Sequence, residues 1–362
     1  MQRKVSAEKL FTGEEWVEGK AIVIEDNTIE AVVARSEAGD VQYYEGCSIV
    51  PGFVDVQVYG AAGKLLSAYP EAETLQVMHD QFIKDGTVLC LPTVATNTMQ
   101  VFKQCIDAIK EYWMQGGEGI WGIHLEGPWL NAEKRGAHLK ECIHAPAEAE
   151  VRDILEYGKG VIKMITLAPE ICASEIIDLI HSYNVIVAAG HSNATYAQAT
   201  DSFSHGIKTV THLFNAMSPL HHREPGLAGA TMHHPTVTSS IVADGYHVDF
   251  AAIAIAKKVM KERLFAITDA VTETNIGPYQ HYRADEKFES SGILSGSALS
   301  MHKAFQNLVF KVGIEKDEAL KMCTLYPAQV LHANNRYGKI ATGYSGQLVV
   351  LDEALTIKDI IS

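Results

Sequence analysis

The sequence predicts an α/β fold, a (β/α)8 TIM barrel joined by a small β-sandwich that the two chain ends build together. Two observations predict it. Eight apolar runs alternate with stretches of helical period through the middle of the chain, and segments rich in β-formers flank that region on both sides. Parallel strands covered on both faces read as near-continuous apolar runs. A strand and helix alternation repeated eight times is the arithmetic of a closed barrel, with a doubly wound open sheet as the alternative.

The runs are 49–58, 88–94, 120–125, 161–167, 185–189, 209–213, 239–242 and 264–268. Helical period stands between them at 72–83, 99–114, 173–183, 195–203 and 251–259, and 299–333 continues as helices. Residues 1–50 read instead as short strands and turns. Ala21-Ile22-Val23-Ile24 is β-rich and Asp26-Asn27 is a turn dipeptide. Residues 345–354 return to strand character. The expected organisation is therefore a β-sandwich from 1–50 plus 336–362, and a catalytic barrel over 51–335.

A chain of 362 residues exceeds the roughly 250–300 at which one core stops growing, which agrees with a barrel plus an appendage. With 30 Lys and Arg against 44 Asp and Glu, the net charge of −14 opposes a broad surface for nucleic acid or anionic lipid. The first residues carry acids and no apolar core of a leader, and no stretch reaches about 18 consecutive apolar residues. A cytoplasmic protein is expected, with no membrane or nucleic-acid partner. Six cysteines without C-x-x-C spacing read as reduced, mostly buried thiols.

Functional side chains of such a barrel gather at the C-terminal ends of its strands. Six runs end in polar residues that would meet at one mouth: Asp55-Val56-Gln57-Val58-Tyr59, His124-Leu125-Glu126, Gly190-His191-Ser192-Asn193, Thr211-His212-Leu213-Phe214-Asn215, Ala243-Asp244-Gly245-Tyr246-His247 and Thr268-Asp269-Ala270. Glu126, His191 and His212 are assigned to a metal. Two imidazoles and a carboxylate with one position open to water are a catalytic zinc set, which also serves other divalent ions. Asp269 then stands where it accepts the proton of a bound water, its alternative being a helix N-cap.

His138 and His247 are candidate donors toward a carbonyl oxygen or a sugar hydroxyl, or surface histidines. His124 falls on the same inward face as Glu126 and reads as core or as support for the metal ligands. Residues 221–230 read as a Gly-rich loop with one Arg. Its His222 and Arg223 are a weak phosphate candidate, because the glycines match no phosphate-loop spacing.

Taken with His124-Leu125-Glu126-Gly127-Pro128-Trp129, Arg223-Glu224-Pro225-Gly226 and Leu294-Ser295-Gly296-Ser297, these strand ends resemble the N-acetylglucosamine-6-phosphate deacetylase family of the amidohydrolase superfamily. The likeness runs in the same order from about residue 8 to about residue 350. The resemblance implies hydrolysis of N-acetyl-D-glucosamine 6-phosphate to glucosamine 6-phosphate and acetate. It implies one divalent ion, zinc first and iron, manganese or cobalt otherwise, on Glu126, His191 and His212, with Asp269 as acid and base. His138, Asn215, Ala216, His247 and Leu294 match positions that line the substrate. His222 and Arg223 match a phosphate-facing segment that reaches across a homodimer into the neighbouring site.

This chain departs from the superfamily after the first run. Gln57 and Tyr59 stand where His-x-His often holds a second metal, so they are a vestigial metal position or a support for the first. The loops 61–67 and 271–282 also differ from the stretches expected. The rivals are an N-acetylgalactosamine-6-phosphate deacetylase and a catalytically weak binder of an amino-sugar phosphate.

Overall fold

Seven of the eight apolar runs become single strands of one parallel sheet in the computed structural model, which describes residues 2–285, 287–290 and 292–362. They are Thr87–Ala95, Ile123–Glu126, Ile162–Leu167, Ile186–Ala189, Thr209–Val210, Thr238–Val242 and Leu264–Ile267. The eighth, 49–58, divides at Gly52, where a Cβ would stand 2.3 Å from Val88 Cγ1. Its first half closes the strand Gln42–Pro51 of another sheet, and its second half is the first barrel strand, Phe53–Val58. The eight strands neighbour one another in chain order. The ring closes where the segment leaving the eighth strand meets the first: Asp269 N–H donates to the Gln57 carbonyl at 3.0 Å, and Tyr59 N–H to the Ala270 carbonyl at 2.9 Å.

The expected helices appear as Ala72–Lys84, Met99–Met114, Ser174–Ser182, Tyr196–Ser204 and Phe250–Met260. Thr98 caps the second through Val101 N–H, and Thr195 with Gln198 forms a capping box on the fourth. Two features depart from expectation. The latter half of the supposed loop 221–230 is the start of a helix, Gly226–His233, buried over Gly226–Met232 and so lacking the polar face that reveals a helical period. A three-stranded antiparallel sheet of Tyr282–Ala284, Lys287–Ser290 and Ile293–Ser297 follows the eighth strand. Strands of three to five residues are too short to show alternation.

Compactness divides the chain into two units: Met1–Asp55, Phe82–Leu89 and Ser300–Ser362 form one, Val56–Gln81 and Cys90–Leu299 the other. The stretch 300–335, expected with the barrel, groups with the terminal segments. Phe305 lies 5.9 Å from Phe53 between ring centroids, and His302 Nε2 is 2.6 Å from the Leu355 carbonyl. In this unit Gln2–Phe11 pairs in parallel with Gln42–Pro51 and antiparallel with Lys20–Glu25. Leu348–Asp352 joins the other edge of Gln42–Pro51 and carries Ile357–Ile361 beyond it. The seven-stranded sheet buries Val5, Leu10, Ile22, Ile49, Val350 and Ile361 against one another. Asp26 and Asn27, at φ 47° and 58°, make the tight turn expected there.

Among the described residues no helix is long and apolar enough to cross a membrane. All six cysteines are free thiols, three of them buried. Truncating fully buried Ile22 to Ala leaves a cavity in the terminal sheet. The expected loss is about 2–5 kcal/mol, read from the urea midpoint.

Candidate metal centre

Glu126 is the last residue of the third barrel strand, whereas His191, His212 and Asp269 each follow their strands by two residues. These three have φ of 47°, 35° and 53°. Left-handed backbone costs a residue with a Cβ about 1–3 kcal/mol, a cost that ordinary turns avoid and functional sites tolerate. Gly190, just before His191, packs so closely that a Cβ would meet Thr211 Cγ2 at 2.4 Å and Thr166 Cγ2 at 2.8 Å.

Glu126 Oε1, His191 Nε2 and His212 Nε2 stand at the corners of a small triangle. The two nitrogens are 3.1 Å apart, and they lie 3.3 Å and 3.1 Å from the oxygen. Among the described residues, these three side chains alone form a group whose donor atoms all fall within 4.8 Å. Tetrahedral bonds of roughly 2.0–2.1 Å separate ligand atoms by about 3.3–3.4 Å, so the triangle fits one divalent ion.

The protons agree with that fit. His191 Nδ1 donates to the Lys134 carbonyl at 2.9 Å, which puts the lone pair of the neutral ring on Nε2, facing the carboxylate. Burial pulls its pKa down to about 4 and keeps the ring neutral. A lone pair set against a carboxylate oxygen is repulsive until a cation lies between them, and a carbonyl on the far nitrogen is the usual support of a metal-binding imidazole. Burial opposes a charge on His212, but the Glu126 and Asp269 carboxylates, Glu126 first, lead the interactions that raise its pKa.

Four further groups surround the carboxylates. Gln57 Nε2 donates to Glu126 Oε1 at 3.0 Å and to Asp269 Oδ1 at 2.8 Å, while the Thr211 hydroxyl donates to Gln57 Oε1 and fixes which way the amide faces. The Tyr59 hydroxyl donates to Glu126 Oε2 and lies 3.3 Å from Asp269 Oδ1. His138 Nδ1 accepts the Thr96 backbone N–H at 3.2 Å and lies 2.8 Å from the Thr96 hydroxyl, so Nε2 carries the proton it offers to Glu126 Oε2 at 3.2 Å. Burial raises the Glu126 pKa, and the facing His138 leads the interactions that pull it well below the usual carboxylate value. Asp269 goes the other way: burial raises it, His212 opposes, and the Glu126 charge adds to the rise.

Asp244 was part of an expected strand end but not of the expected site. Its Oδ2 accepts from His247 Nδ1 at 2.6 Å and its Oδ1 from the Tyr246 and His247 backbone N–H at 2.9 and 2.8 Å. That leaves His247 Nε2 for another partner. The i, i+3 spacing of Asp244 and His247 was the available signal.

The amidohydrolase family model matches residues 48–362, most of the chain. The chain belongs to the amidohydrolase family. The N-acetylglucosamine-6-phosphate deacetylase of Haemophilus influenzae is 30% identical over 347 residues, spanning 91% of this chain and 90% of its own. The N-acetylgalactosamine-6-phosphate deacetylase of Escherichia coli O157:H7 is 29% identical over 372 residues, spanning 99% and 98%. The crystal structure of N-acetylglucosamine-6-phosphate deacetylase from Pasteurella multocida superposes with a TM-score of 0.94 at 31% identity, covering 99% of this chain and 98% of that one.

In this amidohydrolase the barrel brings together Gln57, Tyr59, Glu126, His138, His191, His212 and Asp269. His124 is buried among Thr93 and Thr166, its Nε2 2.7 Å from the Thr166 hydroxyl, and burial takes its pKa down to about 4. Asn215 and Ala216 lie half-buried in the turn after the sixth strand, where the Ala216 carbonyl accepts Ser192 N–H at 3.1 Å. Leu294 is half-buried in the last short antiparallel strand, opposite Glu289. His222 and Arg223 are exposed, and among the described residues no hydrogen bond or ion pair engages the Arg223 guanidinium.

Equilibrium dialysis against zinc is expected to find one ion per chain, held at least about 100-fold more weakly after His191→Ala or Glu126→Gln. Unchanged binding in both variants would mark the triangle as an internal hydrogen-bond cluster.

Proposed function

We propose that the protein is a cytoplasmic metal-dependent deacetylase that hydrolyses N-acetyl-D-glucosamine 6-phosphate to glucosamine 6-phosphate and acetate. One observation carries the reading: a buried aspartate of raised pKa held one amide group away from a metal-fitting triangle, Gln57 Nε2 spanning Glu126 at 3.0 Å and Asp269 at 2.8 Å. The names of the relatives supply the substrate class, and the free thiols suit a reducing compartment.

Glu126, His191 and His212 would hold the ion, and zinc is the cation this donor set favours. When bound, such an ion lowers the pKa of water and polarises a carbonyl. Ionised Asp269 takes a proton from the attacking water and returns it to the amide nitrogen, so that the leaving group departs as an amine. His138, with its Nε2 proton at the edge of Glu126, and His247, braced by Asp244, are placed in this reading to donate toward the carbonyl oxygen or a sugar hydroxyl. Asn215, Ala216 and Leu294 line the sugar.

His222 and Arg223 serve the phosphate of a second copy in a homodimer. Exposed apolar residues support that arrangement: Leu220 is 55% exposed just before this pair, and Ile255 and Val259, 59% and 48% exposed, stand one turn apart on the helix Phe250–Met260. The near full-length likeness to a galactosamine-specific relative supports a second reading, the epimeric sugar phosphate as substrate.

Acetate release from the two epimers, with and without chelator, tests both readings. Expected is metal-dependent turnover with the glucosamine epimer preferred; no acetate from either sugar would overturn the proposal. Asp269→Asn is expected to keep the metal and lose about 10²–10⁴-fold in kcat. Because Asp269 acts ionised and its pKa is raised, kcat/KM should fall on acidification at a pH above the ordinary Asp value of 3.8. A wild-type profile flat down to that value would refute its role as base.

A further inference from the structure

The fourth barrel strand supplies no ligand to the metal triangle, yet the chain that leaves it reaches the segment that carries His191. Glu170 lies in the short helical turn Pro169–Ile171 after that strand. Its Oε1 accepts the Asn193 backbone N–H at 2.6 Å and Asn131 Nδ2 at 2.9 Å, and its Oε2 accepts the Ser192 hydroxyl at 2.7 Å. Ser192 and Asn193 directly follow His191. Asn131 N–H donates to the His191 carbonyl at 2.9 Å, and Asn131 Oδ1 accepts Glu133 N–H at 2.9 Å at the start of the turn Ala132–Lys134. That turn ends in the carbonyl that accepts His191 Nδ1. One carboxylate thus ties the backbone that carries the ligand to the segment whose carbonyl orients its ring.

Resting on the metal-dependent reading above, we propose that Glu170 is a positioning residue of the metal site, acting through His191 to hold its Nε2 at the triangle. His191 has φ 47°, a left-handed backbone that persists only where the surroundings over-determine it. The residues flanking it must therefore be held. Among the described residues no Lys or Arg pairs with Glu170, so its charge is met by three neutral donors, and bonds to an ionised acceptor are roughly twice as strong as neutral ones. All three donors belong to the segments that fix His191. The carboxylate also borders a cavity of ≈ 200 Å³ shared with Gln198, Asp201 and His205. Its bulk is not wedged into packed core, and water entering from the cavity can reach the donors that a truncation frees. What Glu170 supplies is position, and its removal is expected to loosen the ligand while the barrel stays folded.

The test is the zinc affinity of the whole protein by equilibrium dialysis, with the visible absorption of the cobalt-loaded protein as a second readout. Glu170→Ala is expected to weaken zinc by about 10–100-fold and to shift the cobalt spectrum. Glu170→Gln keeps the size and one acceptor oxygen, so it should recover part of that loss and stay about threefold or more weaker than the wild type; it decides the matter if the Ala variant does not fold. Ile22→Ala, which weakens the other compact unit, should bind zinc as the wild type does. Wild-type affinity in both Glu170 variants, or an equal loss in Ile22→Ala, overturns the proposal. Zinc weakened as expected in the Glu170 variants, with no acetate released even by the wild type, upholds the positioning role and removes the deacetylase reading. A wild type that binds no zinc removes the metal reading and this proposal with it.

Discussion

A fully buried carboxylate, Glu126, is the constraint on which the rest of the site depends. An ionised group taken out of water costs several kcal/mol unless it is paired and hydrogen-bonded. Here Gln57, Tyr59, His138, His191 and His212 all converge on its two oxygens. They come from the first, fifth and sixth barrel strands and from the segment after the third, so no local stretch of chain could satisfy Glu126. Only a closed ring brings them together. The backbone bonds between Gln57, Tyr59, Asp269 and Ala270 that close the ring also set the Gln57 amide between the two carboxylates.

The same arrangement separates the tasks of the two acids. Glu126 accepts hydrogens from Gln57, Tyr59 and His138 and is held ionised; Asp269, nearby, feels burial and the Glu126 charge and is made more basic. Two carboxylates of one chemical type thus acquire different proton affinities from position alone. Gln57 and Tyr59 add to this by presenting hydrogens to the carboxylates. A donor hydrogen repels a cation, so the pair supports a reading with one ion at the mouth.

Much of the fold was legible because its signals are local. The strand–helix alternation survives as eight strands in chain order, and Met99–Met114 ends where its period ends. The misses have equally physical causes. The run 49–58 conceals a change of sheet, because a strand of either sheet reads as apolar and only Gly52 marks the break. The helix Gly226–His233 has no polar face, and the short antiparallel sheet after the eighth strand has too few residues per strand to show a period. In the site, Glu126, His191, His212 and Asp269 were legible as strand-end residues. The brace of Asp244 on His247 left only its i, i+3 spacing as a signal, and the anchoring of Tyr279 on Thr96 left none, since a partner 183 residues away makes no mark in spacing.

The amino-acid sequence by itself determined the kind of architecture and the inventory of the mouth: which strands exist, which ends carry acids and imidazoles, and that Gln57 and Tyr59 replace histidines. Periodicity and residue type are properties of neighbours along the chain, and a linear reading captures them. Only the tertiary structure decided which nitrogen of each histidine meets the carboxylate, which way the Gln57 amide faces, and how the two carboxyls differ in basicity. Those are distances between residues far apart in sequence, set by how the barrel closes.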